Sequence, residues 1–221
     1  MKYGVNHFFL VTVISNVFII FLIFLTEISD DPLKRMIIHE GGLVENATVL
    51  AYFLCLLSLI INSGLQNIQK MWTLYISISL LMLREMDFHD RFTTLGIFKI
   101  KFFLSPHVPG VEKAIGILVI LLIIFIAYRF YKQYFRYFLQ KLQERKPFTF
   151  YIIFSICYMG IAFGLDGLPR KLESIGVTGP ERVISICNTT EEVFELMIPV
   201  MFMMSILAFF HQQKLESTIQ P

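Results

Sequence analysis

Charge is scarce in this chain. Asp, Glu, Lys and Arg supply 16% of its 221 residues, against about 25% in soluble domains. Hydrophobic residues fill the place, at 56%, with 23 phenylalanines among them. That composition excludes an ordinary soluble domain and points to a membrane protein. The net charge of +2 is too small to argue for nucleic acid, so none is expected as a partner.

Cysteine is scarce too. Cys55 and Cys157 lie in apolar runs and Cys187 in a polar stretch. An odd number at wide spacing gives neither a disulfide framework nor a thiolate zinc site. They read as small, apolar, buried side chains. Several catalytic signatures are missing. "HEGGL" at His39 lacks the second histidine of H-E-x-x-H, and there is no G-x-S-x-G, P-loop or C-x-x-C.

Long apolar runs are what the chain has. A spanning helix takes about 20 mostly apolar residues. Six runs approach that length, at 8–25, 43–61, 71–88, 114–131, 148–165 and 193–210. The expected fold is an all-α polytopic bundle of six spanning helices in one transmembrane domain, 1–221. The first run exceeds a signal peptide's apolar core and no small-x-small site follows it, so a retained helix is expected.

Orientation follows from Lys and Arg beside helix ends. The stretch "RFYKQYFRYFLQKLQERKP" from Arg129 carries six Lys or Arg against one acid. It marks the cytoplasmic side and gives an N-in, C-in arrangement, in a bacterial inner membrane by default. Interleaved aromatic and basic residues suit an interfacial helix on anionic headgroups, with Pro147 ending it. Membrane lipids are therefore expected partners. On the outer side, "IFKIKFFLSPHVPG" from Ile97 reads as a loop that dips into the interface. Gly160 and Gly164 form a G-x-x-x-G. Its simpler reading is close helix packing within the chain, and its other reading a homo-oligomer contact.

The acids are lopsided. Only Glu144 and Glu216 fall inside in this topology; the other fifteen lie outside. "LREMDFHDRF" concentrates them at the outer end of the third run. From Lys70, at about 1.5 Å per residue, Arg84 stands about 21 Å up, within a hydrocarbon core about 30 Å thick. Glu85 and His89 are four apart and share a helix face. Groups at such depth face protein or water. Glu45 enters with the second helix, Glu191, Glu192 and Glu195 with the sixth, and Asp166, Arg170 and Lys171 stand where the fifth leaves. Thr189 with Glu192 matches a capping box. Glu195 is deeper, and Pro199 four residues on frees its carbonyl.

Three readings follow. The charges form an ion-pair clamp; or an enzyme site acting on a lipid or lipid-linked ester or phosphoester; or a proton or cation path. In the enzyme reading Glu45, Glu85, His89 and Glu195 are the working acids and bases. Arg84 and Arg170 hold an anion. Glu85, His89, Glu192 and Glu195 are the candidate ligands for a divalent ion such as Mg²⁺, Mn²⁺, Fe or Zn²⁺.

Overall fold

The computed structural model describes residues 2–38, 41–88, 93–174, 176 and 180–219. Among them the ordered elements are helices, with no strand. They run α1 (Lys2–Ile28), α2 (Asp31–Ile38), α3 (Leu43–Ser63), a 3₁₀ turn (Leu65–Asn67), α4 (Ile68–Glu85), α5 (Ile100–Leu104), α6 (Gly110–Gln143), α7 (Pro147–Leu165), α8 (Leu168–Ser174) and α9 (Glu181–Ile219).

Five stretches are long and apolar enough to cross a membrane: Phe8–Ile28, Pro32–Ser63, Gly110–Gln143, Pro147–Leu165 and Glu181–Glu216. The third expected span, now α4, is not among them. It is helical, but its 18 residues include Lys70, Arg84 and Glu85, which dilute its apolarity. The described chain is thus a helical integral membrane protein.

Helix α9 is the central element. Half of its apolar window is buried, against 11% for α1 and α6, so those two face outward. It packs mainly on α7 and α3, with α1 on another side, while α4 leans on α3. The shared core holds Tyr52, Cys55 and Leu59 of α3, Tyr151 and Tyr158 of α7, and Val193, Met197 and Met201 of α9. On α3 the buried positions Val44, Thr48, Tyr52, Cys55 and Leu59 recur every three or four residues, the spacing of one helical stripe.

Pro199 lies inside α9 and is fully buried. Lacking an N–H, it cannot bond the carbonyl four residues back. Neighbouring helices brace this turn. Cys55 Sγ donates to the Pro199 carbonyl at 3.1 Å, and Ser155 Oγ reaches the Ile198 carbonyl at 3.4 Å. Cys55 is therefore a donor as well as an apolar filler.

Several expectations change. α9 begins at Glu181, just after Pro180, whose carbonyl accepts from the Val183 N–H at 2.8 Å. Thr189 is then inside the helix and caps nothing. Its hydroxyl donates to Glu27 of α1 at 3.3 Å. At 39 residues, α9 is about 58 Å long and outruns the hydrocarbon core. The basic stretch does continue its helix, making α6 34 residues long. Pro147 does not end it. Arg145 does, in the left-handed region at φ 54°. There Lys146 N bonds Lys141 O and Arg145 N bonds Leu142 O, a Schellman closure. Pro147 instead opens α7, where its missing N–H costs nothing.

The G-x-x-x-G expectation changes as well. Gly160 and Gly164 are exposed, and among the described residues no atom comes within 4 Å of where a Cβ would stand. They pack against no helix of this chain. Gly116 is the glycine that admits a neighbour, since a Cβ there would lie 2.7 Å from Phe102 Cε1. Phe102, fully buried on α5, anchors the outer segment with Ile97 and Val108. Phe98, Ile100 and Leu104 stay exposed beside exposed Lys99 and Lys101, as an interface-dipping segment requires.

Candidate functional site: an arginine between two glutamates above an apolar cleft

The last turn of α4 and the fourth turn of α9 meet at one polar cluster. Arg84 Nε donates to Glu85 Oε1 at 3.1 Å. Its Nη2 donates to Glu195 Oε1 across the helix interface. The side chains of Glu85 and Glu195 are 5% and 17% exposed, and that of Arg84 40%. The two carboxyls also lie within hydrogen-bonding reach of each other. One guanidinium thus serves two carboxyls. Such a set tolerates burial because each charge has an opposite charge beside it.

Other acids gather around this core. Glu192 lies one turn from Glu195, within electrostatic reach of Glu45, Glu85 and Glu191. Tyr52, buried on α3, sits in the field of Arg84, Glu85 and Glu195. The sequence argument passed over Tyr52. The available signal was its place two helical turns below Glu45 on the same stripe.

The remaining candidates stand at the edge of this cluster, Glu45 within electrostatic reach of Glu192 and Asp166 within that of Glu195. Glu45 accepts from the Gly41 N–H at 2.6 Å while Asn46 Nδ2 donates to the Gly41 and Gly42 carbonyls. Both knit the start of α3, where free N–H groups want acceptors. Asp87 is exposed, in the left-handed turn that ends α4 (φ 51°). Asp166 is exposed at the end of α7. His89 and the side chain of Arg170 lie outside the described residues. The site brings together Arg84, Glu85, Glu192 and Glu195 from the original set.

Among the described residues no group of three or more His, Cys, Asp or Glu side chains is arranged to hold a metal ion. The reason at Glu85 and Glu195 is visible: the guanidinium occupies the place between the carboxylates that a cation would take. His89, the remaining member of that ligand set, is outside the described residues.

Beside Arg84 opens a cleft of about 1540 Å³ between α4, α6, α7 and α9. It runs from Arg84, Phe88, Thr93 and Glu112 at one end to Lys70, Gln133 and Gln213 at the other. Its walls between are mostly apolar, with Leu74, Ile78, Leu81, Ile123, Ile126 and Ile206 among them. Arg84, Glu112 and Lys70 are its charged lining residues among the described ones. Helix α6 meets α4 at the Lys70 end of the cleft, and that contact is polar. Thr73 Oγ1 donates to Gln133 Oε1 at 2.8 Å, and Gln133 Nε2 donates to the Lys70 carbonyl at 2.7 Å. Arg129 lies over the Trp72 ring at 6.0 Å.

A second polar knot went unnoticed in the sequence. Glu27 of α1 pairs with Lys34 of α2 at 2.6 Å and accepts from Ser185 of α9 at 3.0 Å. It ties three helices at the outer end, away from the cleft. Its signal was Glu27 itself, a carboxylate ending an otherwise apolar run.

Comparison of the chain with protein-family models, with curated proteins and with solved structures finds no match in any of the three.

Proposed function

We propose that this chain is a six-span protein of a bacterial inner membrane, N-in and C-in, that holds a lipid or lipid-linked amphiphile in the cleft beside α4. The carrying observation is the cleft: deep, apolar along its walls, and ending at Arg84. Tails suit the walls and a polar head suits the outer end. α4 supports the count of six. It follows α3 after one short turn, and its 18 residues reach about 27 Å, close to the core thickness of about 30 Å. An even number of spans returns both termini to one side.

The Arg84 cluster then acts as a clamp that joins α4 to α9 at the head of the cleft. A proton or cation path has less support, because the cleft's walls between its two ends are apolar. An enzyme reading has one observation in its favour, the contact between the Glu85 and Glu195 carboxyls. Two carboxyls that share a site divide acid and base roles, and an ester or phosphoester head beside them could be hydrolysed or transferred. Lipid-ester turnover lost in both Glu85→Gln and Glu195→Gln, with the fold intact, would establish it.

The exposed Gly160 and Gly164 support a homo-oligomer through the outer face of α7, since small residues four apart let helices approach closely.

The test of the cleft is lipid retention. Phospholipid bound per protein is measured after detergent purification of the wild type and of Ala127→Trp and Ser77→Trp, two cleft-filling variants on facing helices. Loss of retained lipid in both, at unchanged elution volume and melting temperature, supports the reading. Undiminished retention in both sinks it.

A further inference from the structure

The outer end of the cleft says what kind of head would sit there. Arg84 is its cation among the described residues, and that charge is already met by Glu85 and Glu195. Across the mouth, at the start of α6, Glu112 lines the cleft directly. Its carboxylate accepts from the Thr94 N–H at 3.0 Å and the Thr94 hydroxyl at 2.8 Å, which fixes it on the wall. A carboxylate offers about four lone-pair sites, so Glu112 keeps acceptor capacity for a further donor. Glu112 is thus the one carboxylate among the described lining residues, while Glu85 and Glu195 hold Arg84 from outside the lining. Lys70, the other basic group of the lining, stands at the opposite end, 14 residues down α4 and about 21 Å away. Among the described lining residues, the mouth holds one unpaired acid and one paired cation, and the opposite end holds Lys70.

Resting on the amphiphile reading above, we infer that the cleft selects an amphiphile whose head carries an ammonium group, such as a zwitterionic aminophospholipid, over one with a net anionic head. An ammonium has three N–H donors and no acceptor. It matches Glu112. A head of net negative charge would bring a second anion to that carboxylate while Arg84 is already paired, and like charges placed together cost affinity. This reverses the first expectation for Arg84, which was anion capture. Two glutamates have claimed the guanidinium, so it orders the mouth and does not make it positive.

The test uses native mass spectrometry of the purified full-length protein, delipidated and then incubated with phosphatidylethanolamine or phosphatidylglycerol of matched chains. The wild type is expected to retain the amine lipid about fivefold more, the scale of about one favourable charge contact at a membrane surface. Glu112→Gln is expected to bring that preference below about twofold while total retention persists. Glu112→Asp, which keeps the charge, is expected to restore part of it. Ala127→Trp is expected to remove both lipids.

Equal retention of the two lipids by the wild type, with both lost in Ala127→Trp, overturns the headgroup inference and leaves the occupied cleft standing. Preference for the anionic lipid does the same. Retention of either lipid that is indifferent to Ala127→Trp and Ser77→Trp overturns the cleft and the inference together. Preference unchanged in a folded Glu112→Gln variant also refutes the inference, because the selecting charge would lie elsewhere.

Discussion

Arg84→Met is the most direct perturbation of the site. It keeps length and apolar bulk but removes the cation from between Glu85 and Glu195. Two carboxyls within hydrogen-bonding reach would be left in a place where they are 5% and 17% exposed. Breaking a buried pair from one side costs about 3–5 kcal/mol. Arg84 is 40% exposed, so solvent screens part of its interaction, and we expect about 2–3 kcal/mol. Glu195→Gln should cost less, about 1 kcal/mol, because Arg84 keeps Glu85 and an amide still accepts a hydrogen bond. The two changes share one interaction and should not add. The double variant should be more stable than additivity allows by about 1–2 kcal/mol. At about 2–4 °C per kcal/mol for a chain of this size, Arg84→Met should melt about 4–12 °C early. The assay is a four-way cycle of melting temperatures in one detergent, with circular dichroism confirming helix content. A coupling energy within about 0.5 kcal/mol of zero would refute the clamp, whatever the single variants do.

Thr73→Val should cost about 1 kcal/mol by leaving Gln133 Oε1 without its donor; a melting temperature unchanged within error would show that α6 is not held there. Gly160→Ile should leave the melting temperature unchanged or slightly raised, since no described atom lies within 4 Å of the new Cβ and glycine is a poor helix former. If a dimer forms through α7, the same variant should run as a monomer in detergent, and an unchanged dimer would remove Gly160 from the contact. In a background without the native cysteines, Ser29→Cys should label from outside and Gln140→Cys should not. The reverse pattern overturns the N-in arrangement.

Much of the architecture was legible because the membrane restricts it to few forms. Apolar runs gave the helices their places, and the charged end of the third run, Arg84 and Glu85, does meet Glu195 of α9. Glu195 stood out as too deep for a cap. Lateral arrangement was not legible. Residues 193–210 mark where α9 is apolar, not where it starts, because helix formation does not require apolarity. Polar and apolar residues mix in "ERVISICNTTEE", and Thr189 ahead of an apolar run resembled an N-cap. The helix starts at the breaker before it, Pro180. The cleft was equally hidden. It lies beside α6, which Thr73 and Gln133 tie to α4, and no linear pattern records a gap between helices.

The same limit explains why two separate sequence cues on α9 belong together. Glu195 was notable for its depth, Pro199 for breaking a helix. In α9 they are four residues apart, so the carbonyl that Pro199 leaves without its intrahelical donor is the one on Glu195. The residue whose side chain crosses to Arg84 therefore sits on a turn with one fewer internal bond. What holds that turn comes from outside it: Cys55 from α3, Ser155 from α7 and Arg84 from α4. Three helices thus converge on one loosened turn of a fourth.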